Sequence, residues 1–453
     1  MSLHDAQRYV SVSAPRAPQA HLIESSLGLH LFVVDGSRLF DTEAELFRRC
    51  GAAMARGDSD EIEDLLQQAG VDGPPMIDDT PLPPPKIRAL SLAIAQKCNL
   101  GCAYCYAQQG EFGAPAKNMS LADALSAVEL LVGEAEPGER LNLAFLGGEP
   151  LVNRPTLRAA ARRARELAET RGATVNYSIT TNGTLLTEDD ARFFEEFGFA
   201  VTISLDGPRE VHDALRPYKG GAGSFDAIMR RAAPLLRLQH KMQVSARVTV
   251  TPTNLSLRRT LDTFVAAGFH SVGFSPMLSS PAGQGELQSG DLELMLGEMI
   301  DCGREYERRS RLGERYPFAN MVNAMREIHR GTHRPYPCGA GAGYLGVSAD
   351  GELSACHRFV GDEDGAMGSL AEGVDRTRQA QWLTERHVHR QEPCRSCWAR
   401  YLCGGGCHHE VLRRGRPACD YIRGWLHYCL EAYLRLSPQP VENALDSIGT
   451  SYG

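Results

Sequence analysis

The sequence predicts an α/β protein built around a partial (β/α)6 barrel of the TIM type. A small α+β unit precedes the barrel and a metal-organised domain follows it. Three observations predict this. From residue 87 to 312, strand-like runs alternate with amphipathic helical stretches, the pattern of right-handed βαβ units on a parallel sheet. A stretch with six prolines between Pro74 and Pro85 separates that region from a shorter N-terminal one. From Cys338 to Cys429 the chain carries eight cysteines and only short periodic segments, too little regular structure to bury a large core unaided. The chain has 453 residues, 43% hydrophobic and 23% charged, which suits a globular protein and not a disordered one. A formal net charge of −8 argues against non-specific nucleic-acid binding, which needs a basic surface.

Residues 1–20 are polar and read as a flexible N-terminus. Residues 21–71 form the α+β unit, in which HLIESSLGLHLFVV and RLFDT flank Asp35-Gly36, a type I′ hairpin signal. Thr42 and Glu45 make a capping-box pattern before a helix ending near Cys50, and a second helix centres on DEIEDLLQQAG. Residues 72–86 are a stiff linker. Within 87–312 the strands are ALSLAIAQ, LNLAFLGG, TVNYSITTNG, AVTISLDG, QVSARVTVTP and SVGFSPM. Helices are predicted between them, and a last one over Leu292–Arg311. Six units rather than eight predict an open, incomplete barrel, with functional residues just past the strand ends. The run 160–165 (AARRAR) reads as a solvated helix face. Residues 313–436 are the cysteine-rich domain and 437–453 a loose tail.

After the first barrel strand stands Cys98-Asn-Leu-Gly-Cys102-Ala-Tyr-Cys105-Tyr. Three thiolates converge on one centre here, whereas tetrahedral zinc takes four ligands. Three ligands on a cubane cluster leave one iron open. This CxxxCxxC loop, with Tyr104 before its last cysteine, resembles the radical S-adenosylmethionine (radical SAM) superfamily. The resemblance implies a [4Fe-4S] cluster whose open iron chelates S-adenosylmethionine and cleaves it to a 5′-deoxyadenosyl radical. Gly147-Gly148-Glu149-Pro150 resembles the family's GGEP motif, which holds the methionine amino group. Asn182 after the third strand, and Ser204 and Asp206 after the fourth, fall where ribose and carboxylate contacts occur in relatives. Arg216 is suited to the methionine carboxylate. The resemblance thus assigns Tyr104, Gly147, Gly148, Glu149, Asn182, Ser204, Asp206 and Arg216 to the cofactor. It covers roughly residues 87–277.

In the C-terminal region twelve residues separate Cys338 from Gly351, and four more separate Gly351 from Cys356. Then follow Cys394-x2-Cys397-x5-Cys403-x3-Cys407, Cys419 and Cys429. The pattern resembles the seven-cysteine SPASM domain, implying two auxiliary [4Fe-4S] clusters and three clusters in all. By that precedent Cys338, Cys356 and Cys407 hold one auxiliary cluster. Cys394, Cys397 and Cys403 hold the other, completed by Cys419 or Cys429. Cys419 is preferred because it opens the helical run CDYIRGWLHYC. The first auxiliary set has three obvious ligands, so either a fourth comes from elsewhere, with Cys302 a weak candidate, or an iron is open to a substrate thiolate. Cys50 and Cys302 otherwise read as ordinary buried cysteines.

Sulfatase maturases of this group carry an acid–base Asp after the GX4C cysteine. Here the residue is His357, a side chain able to move a proton near neutral pH, with a hydrogen-bonded supporting role as the alternative. Tyr104, Tyr106 and Trp398 read as packing around clusters, and His408 and His409 as cluster-shell or surface residues. The N-terminal unit resembles the winged-helix peptide-recognition domain that binds leader peptides by strand addition. The resulting expectation is a radical SAM/SPASM maturase that installs an intrapeptide thioether, with the small subunit of a quinohemoprotein amine dehydrogenase as one possible target. Carbon–carbon crosslinking, epimerisation and formylglycine formation on the same scaffold are alternatives, as is a non-catalytic iron–sulfur protein. Expected partners are a peptide or small protein and a flavodoxin- or ferredoxin-like electron donor. No nucleic acid and no membrane are expected. With no apolar stretch of span length and no secretory signal, the expected location is cytoplasmic.

Overall fold

A computed structural model describes residues 19–72 and 76–437. The flexible N-terminus, the first two linker prolines and the loose tail read from the sequence lie outside the described residues, apart from the ends that reach into them.

The N-terminal unit is a three-stranded antiparallel sheet of β1 (Ala20–Ser25), β2 (Gly28–Val33) and β3 (Arg38–Thr42), followed by α1 (Ala44–Arg56) and α2 (Ser59–Gln68). Its own core joins Leu31 and Val33 to Cys50, Ile62, Leu65 and Leu66. The run HLIESSLGLHLFVV folds as two strands. Two readings of this unit are corrected. The β2–β3 turn is not type I′, because Gly36 (φ 83) and Ser37 (φ 49) are left-handed whereas type I′ needs Asp35 to be so as well. Thr42 does not cap α1: it ends β3, the N-cap is Glu43 without a side-chain bond, and the helix continues past Cys50 to Arg56 before Gly57 closes it in a left-handed conformation.

The barrel strands are β4 (Ala89–Gln96), β6 (Arg140–Gly147), β7 (Thr174–Thr181), β8 (Ala200–Ser204), β9 (Gln243–Val250) and β10 (Ser271–Pro276), all parallel. The two-residue β5 (Lys117–Asn118) pairs antiparallel with the end of β4. Intervening helices are α3 (Leu121–Val132), α4 (Arg154–Thr170), α5 (Glu188–Phe197), α6 (Arg209–Leu215), α7 (Phe225–Arg237) and α8 (Leu257–Ala266), with α9 (Ser289–Arg311) and α10 (Ala319–His329) after β10. Caps start the helices where the sequence has them: Ser120 accepts from the Asp123 amide, and Thr187 and Asp190 form a reciprocal capping box on α5. The AARRAR run is not simply solvated. Its alanines 160, 161 and 164 are buried, while Arg162 and Arg165 lie over the rings of Phe193 and Phe197.

Along β9 the residues alternate. Val244, Ala246, Val248 and Val250 are buried among the helices, so Ser245, Arg247 and Thr249 face the lumen. This alternation sets which side chains the barrel offers to its interior.

The C-terminal region does not stand apart from the barrel. Its first strand, β11 (Tyr344–Val347), pairs parallel with β4 and extends the sheet through β12 (Glu352–Ser354), β13 (Ala366–Ser369) and β14 (Gly373–Val374). The open edge of the incomplete barrel is therefore covered by backbone hydrogen bonds from the cysteine-rich region. α11 (Arg376–Arg386), α12 (Arg400–Cys403), α13 (His408–Arg414) and α14 (Cys419–Leu436) follow, and α14 packs on α9 and α10. The N-terminal unit docks here too. His21 stacks on Trp398 with ring centroids 3.7 Å apart and meets His427 at 2.9 Å. Among the described residues no helix is long and apolar enough to cross a membrane.

Candidate active site

The loop after β4 carries Cys98, Cys102 and Cys105. The segment after α6 pins it: Gly101 N–H donates to the Pro217 carbonyl and Lys219 N–H to that of Asn99. Glycine lets it lie flat against the loop after β6. A Cβ on Gly148 would come within 2.4 Å of the Lys97 carbonyl, and one on Gly147 (φ 141) equally close to that of Ala95. The GG pair is thus required by close backbone approach.

Cys98 Sγ accepts from the Leu100 amide at 3.4 Å and from Asn182 Nδ2 at 3.5 Å. Burial pushes the Cys102 thiol up to about 12, Arg216 opposes this, and the neighbouring Cys105, Asp206 and Cys98 add to it. These three thiols, Cys102 buried and Cys98 and Cys105 partly so, favour thiolate only when a metal centre compensates. Among the described residues no group of three or more His, Cys, Asp or Glu side chains is set to hold a single metal ion. The gathered thiols fit a multi-iron cluster, which spreads its ligands more widely than one tetrahedral ion does.

The Glu149 carboxylate is fully buried and accepts from Leu151 N–H (3.0 Å), Thr181 Oγ1 (2.7 Å) and Asn182 N–H (2.7 Å). It ties the loop after β6 to the loop after β7. Burial raises its carboxyl to about 7 against these hydrogen bonds. Asn182 is held in turn by Asn99 and Thr184.

Arg216 is anchored by the protein. Its Nε donates to Asp206 at 2.7 Å, one Nη reaches Thr249 Oγ1 at 3.4 Å, and the guanidinium lies over the Tyr104 ring. Tyr104 itself donates to Asp206. Asp206 is therefore the hub of the site and not a free ligand: it also accepts from the Thr249 amide, and Asn254 bonds its carbonyl. Burial opposes the charge on Arg216, but Asp206, Tyr104 and Cys102 more than offset it and hold its pKa above the ordinary arginine value. Among the described residues Arg216 uses two of its five N–H donors on protein. Ser204 makes no side-chain hydrogen bond among the described residues.

The C-terminal thiols fall into two groups. Cys338, Cys356 and Cys407 act on one another, and Cys394, Cys397, Cys403 and Cys419 on one another. A cavity of about 290 Å³ is lined by all four of the second group. Cys429 does not join them. It is fully buried inside α14 with Met321 Sδ at 4.0 Å and no cysteine acting on it, because its side of the helix packs on α10. Cys302 is likewise core, on α9, and supplies no fourth ligand to the first group. Trp398 packs on the N-terminal sheet through His21 and Phe32. His408 is buried beside Trp382 and His409 against Phe359.

Desolvation, with Arg358 adding, lowers His357 to about 4. Its Nδ1 is bonded to the Tyr344 hydroxyl, which meets Ser91 Oγ. The sequence reading missed Arg358. Its guanidinium lies over Tyr106, donates to Glu410 at 2.6 Å, and is 3.9 Å from Cys407 Sγ. Thr249 and Asn254 were missed too, because each acts from a neighbouring strand end that no local motif marks.

The radical SAM superfamily model matches residues 92–252, the span that holds CxxxCxxC, GGEP, Asp206 and Arg216. The chain carries a radical SAM domain. Radical SAM enzymes bind S-adenosylmethionine and a [4Fe-4S] cluster. The chain is 28% identical over 358 residues to the serine-type anaerobic sulfatase-maturating enzyme of Klebsiella aerogenes, covering 76% of this chain and 85% of that one. It is 27% identical over 342 residues to the cysteine-type anaerobic sulfatase-maturating enzyme of Clostridium novyi (strain NT), covering 71% and 88%. Its fold resembles native anSMEcpe with bound AdoMet and Cp18Cys peptide, at TM-score 0.61 and 22% identity over 78% of this chain and 98% of that chain. It also resembles Streptococcus suis SuiB bound to precursor peptide SuiA, at TM-score 0.52 and 13% identity over 89% and 97%.

Proposed function

We propose that this radical SAM enzyme is a peptide maturase that joins a cysteine sulfur of its substrate to a carbon of another residue, forming an intrapeptide thioether. The observation that carries the reading is the three-and-four division of the C-terminal thiols. A cluster held by Cys338, Cys356 and Cys407 alone keeps one iron for a substrate thiolate, whereas Cys394, Cys397, Cys403 and Cys419 form a closed set. With Cys98, Cys102 and Cys105 this makes three [4Fe-4S] sites. When bound, the first cluster and S-adenosylmethionine supply a 5′-deoxyadenosyl radical that abstracts hydrogen from carbon.

The chain's own residues hold and orient. Asp206 fixes Arg216 so that its remaining N–H groups face a ligand carboxylate. Glu149 locks the two loops that cradle the cofactor. Tyr344 and Ser91 hold His357, which braces Tyr106 at a ring distance of 5.9 Å beside Cys105. The substrate's leader pairs with the outer edge of β3, which is bonded to β2 on its inner side only. A flavodoxin- or ferredoxin-like protein supplies electrons.

Formylglycine formation is the second reading, favoured by the names of the relatives. The His357 standing where those enzymes carry an Asp weighs against it. Co-expression with a cysteine-containing small protein encoded beside the gene, followed by mass spectrometry, separates the two. A product lighter by two hydrogens and no longer alkylated at cysteine supports the thioether. A hydrazide-reactive aldehyde refutes it in favour of formylglycine.

A further inference from the structure

We propose that Arg358 sets the reduction potential of the auxiliary cluster held by Cys338, Cys356 and Cys407, its guanidinium favouring the reduced form, and that Glu410 tempers that charge. This rests on the cluster assignment made above and names the positioning residue that regulates the site.

Arg358 stands two residues after Cys356, in the single tight helical turn His357–Phe359. Glu410 stands three residues after Cys407, on α13. Their ion pair of 2.6 Å therefore joins the two segments that carry these thiols. The same guanidinium has Nη1 3.9 Å from Cys407 Sγ and lies over the Tyr106 ring. Its charge acts on Cys356 as well as on Cys407. Its Nε is buried from solvent and has no hydrogen-bond partner among the described residues. Two more such atoms belong to the residues directly after Cys407, Nε2 of His408 and Nδ1 of His409. Buried polar atoms are rarely left unpaired. Three of them around one set of thiols fit a bound group with polar atoms of its own, and a guanidinium N–H suits the sulfurs of a cluster.

Reduction adds one negative charge to a cluster and moves no atom. A cation beside the thiolates stabilises the added charge and a carboxylate opposes it, and burial leaves both weakly screened. Net charge and hydrogen bonds to sulfur are among the levers that set a cluster's potential. The potential matters to the proposed reaction. When a carbon radical and a thiolate close a carbon–sulfur bond, one electron is left over, and an oxidised cluster is the acceptor for it. The ion pair also clamps two loops together, but the two roles separate cleanly. A clamp is lost equally from either side, whereas the charges of Arg358 and Glu410 act in opposite directions.

Full-length protein reconstituted anaerobically with iron and sulfide is titrated electrochemically without S-adenosylmethionine or substrate, the clusters being read by EPR. Wild type is expected to show three one-electron midpoints. In Arg358→Gln one midpoint falls, the balance moving at least tenfold toward the oxidised form, about 59 mV for a one-electron couple. Arg358→Lys lowers the same midpoint less, Glu410→Gln raises it, and the other two midpoints hold throughout. The proposal is overturned if no midpoint falls in Arg358→Gln, if Glu410→Gln moves it downward as loss of a clamp would, or if all three midpoints move together. Glu410→Gln leaves the guanidinium in place, so the test stands even where Arg358→Gln does not assemble its cluster: a midpoint unmoved there overturns the proposal. Fewer than three midpoints in wild type overturn it together with the cluster assignment. An aldehyde-bearing product in the co-expression experiment refutes the thioether alone, because these midpoints are measured without substrate.

Discussion

Glu149 is a carboxylate whose chemistry is spent on architecture. It accepts three protein hydrogen bonds at the junction of two loops, yet burial still holds its carboxyl near 7 rather than 4.5. The unfolded chain ionises this group near 4.5 and the folded one near 7. Between those values folding takes up a proton, so stability falls as pH rises through the window and is level above it. The loss is on the order of 1–3 kcal/mol. Glu149→Gln is expected to remove this slope, read as denaturant midpoints of holoprotein at pH 5 and pH 8. The same slope in both proteins would refute the assignment. The motif marked the residue, but nothing local revealed that its partners are Thr181 and Asn182 on another strand.

The α14 helix illustrates how one element sorts residues of the same type. Cys419 opens it and faces the cavity shared with Cys394 and Cys403, whereas Cys429 lies further along on the side packed against α10. The opening of the helix was readable from CDYIRGWLHYC; which face met which neighbour was not. The N-terminal sheet raises a related point. His21 of β1 stacks on Trp398, and Phe32 of β2 meets the same indole edge-on. Trp398→Ala is expected to cost about 3 kcal/mol at that contact and to loosen the unit, seen as faster proteolysis within residues 72–86 while the barrel stays intact. Unchanged cleavage would mean the docking rests elsewhere.

Taken whole, the molecule is one sheet bent into a lumen and carried on by the cysteine-rich region. β4 pairs with β6 on one side and β11 on the other, so barrel and auxiliary region share backbone hydrogen bonds. Gly346 on β11 has the backbone of Cys356 and His357 against it: a Cβ would come within 2.7 Å of the Cys356 carbonyl carbon. Gly346→Ala is therefore expected to lower stability by about 1–3 kcal/mol in one calorimetric transition that includes the barrel. Two transitions, with the barrel's unshifted, would contradict a shared sheet as the unit of stability.

The strand–helix alternation and the cysteine spacings needed no tertiary information. Period-two runs such as QVSARVTV specify strands whichever neighbours they meet, and thiols a few residues apart on one loop converge because the chain between them is short. All six barrel strands were legible for that reason, as was the first cysteine trio. Contacts between distant segments were not. Asp206 pairing Arg216, Arg358 beside Cys407 and β11 on the edge of β4 arise from long-range packing. Their energies depend on burial and on partners tens to hundreds of residues away, which no local pattern encodes.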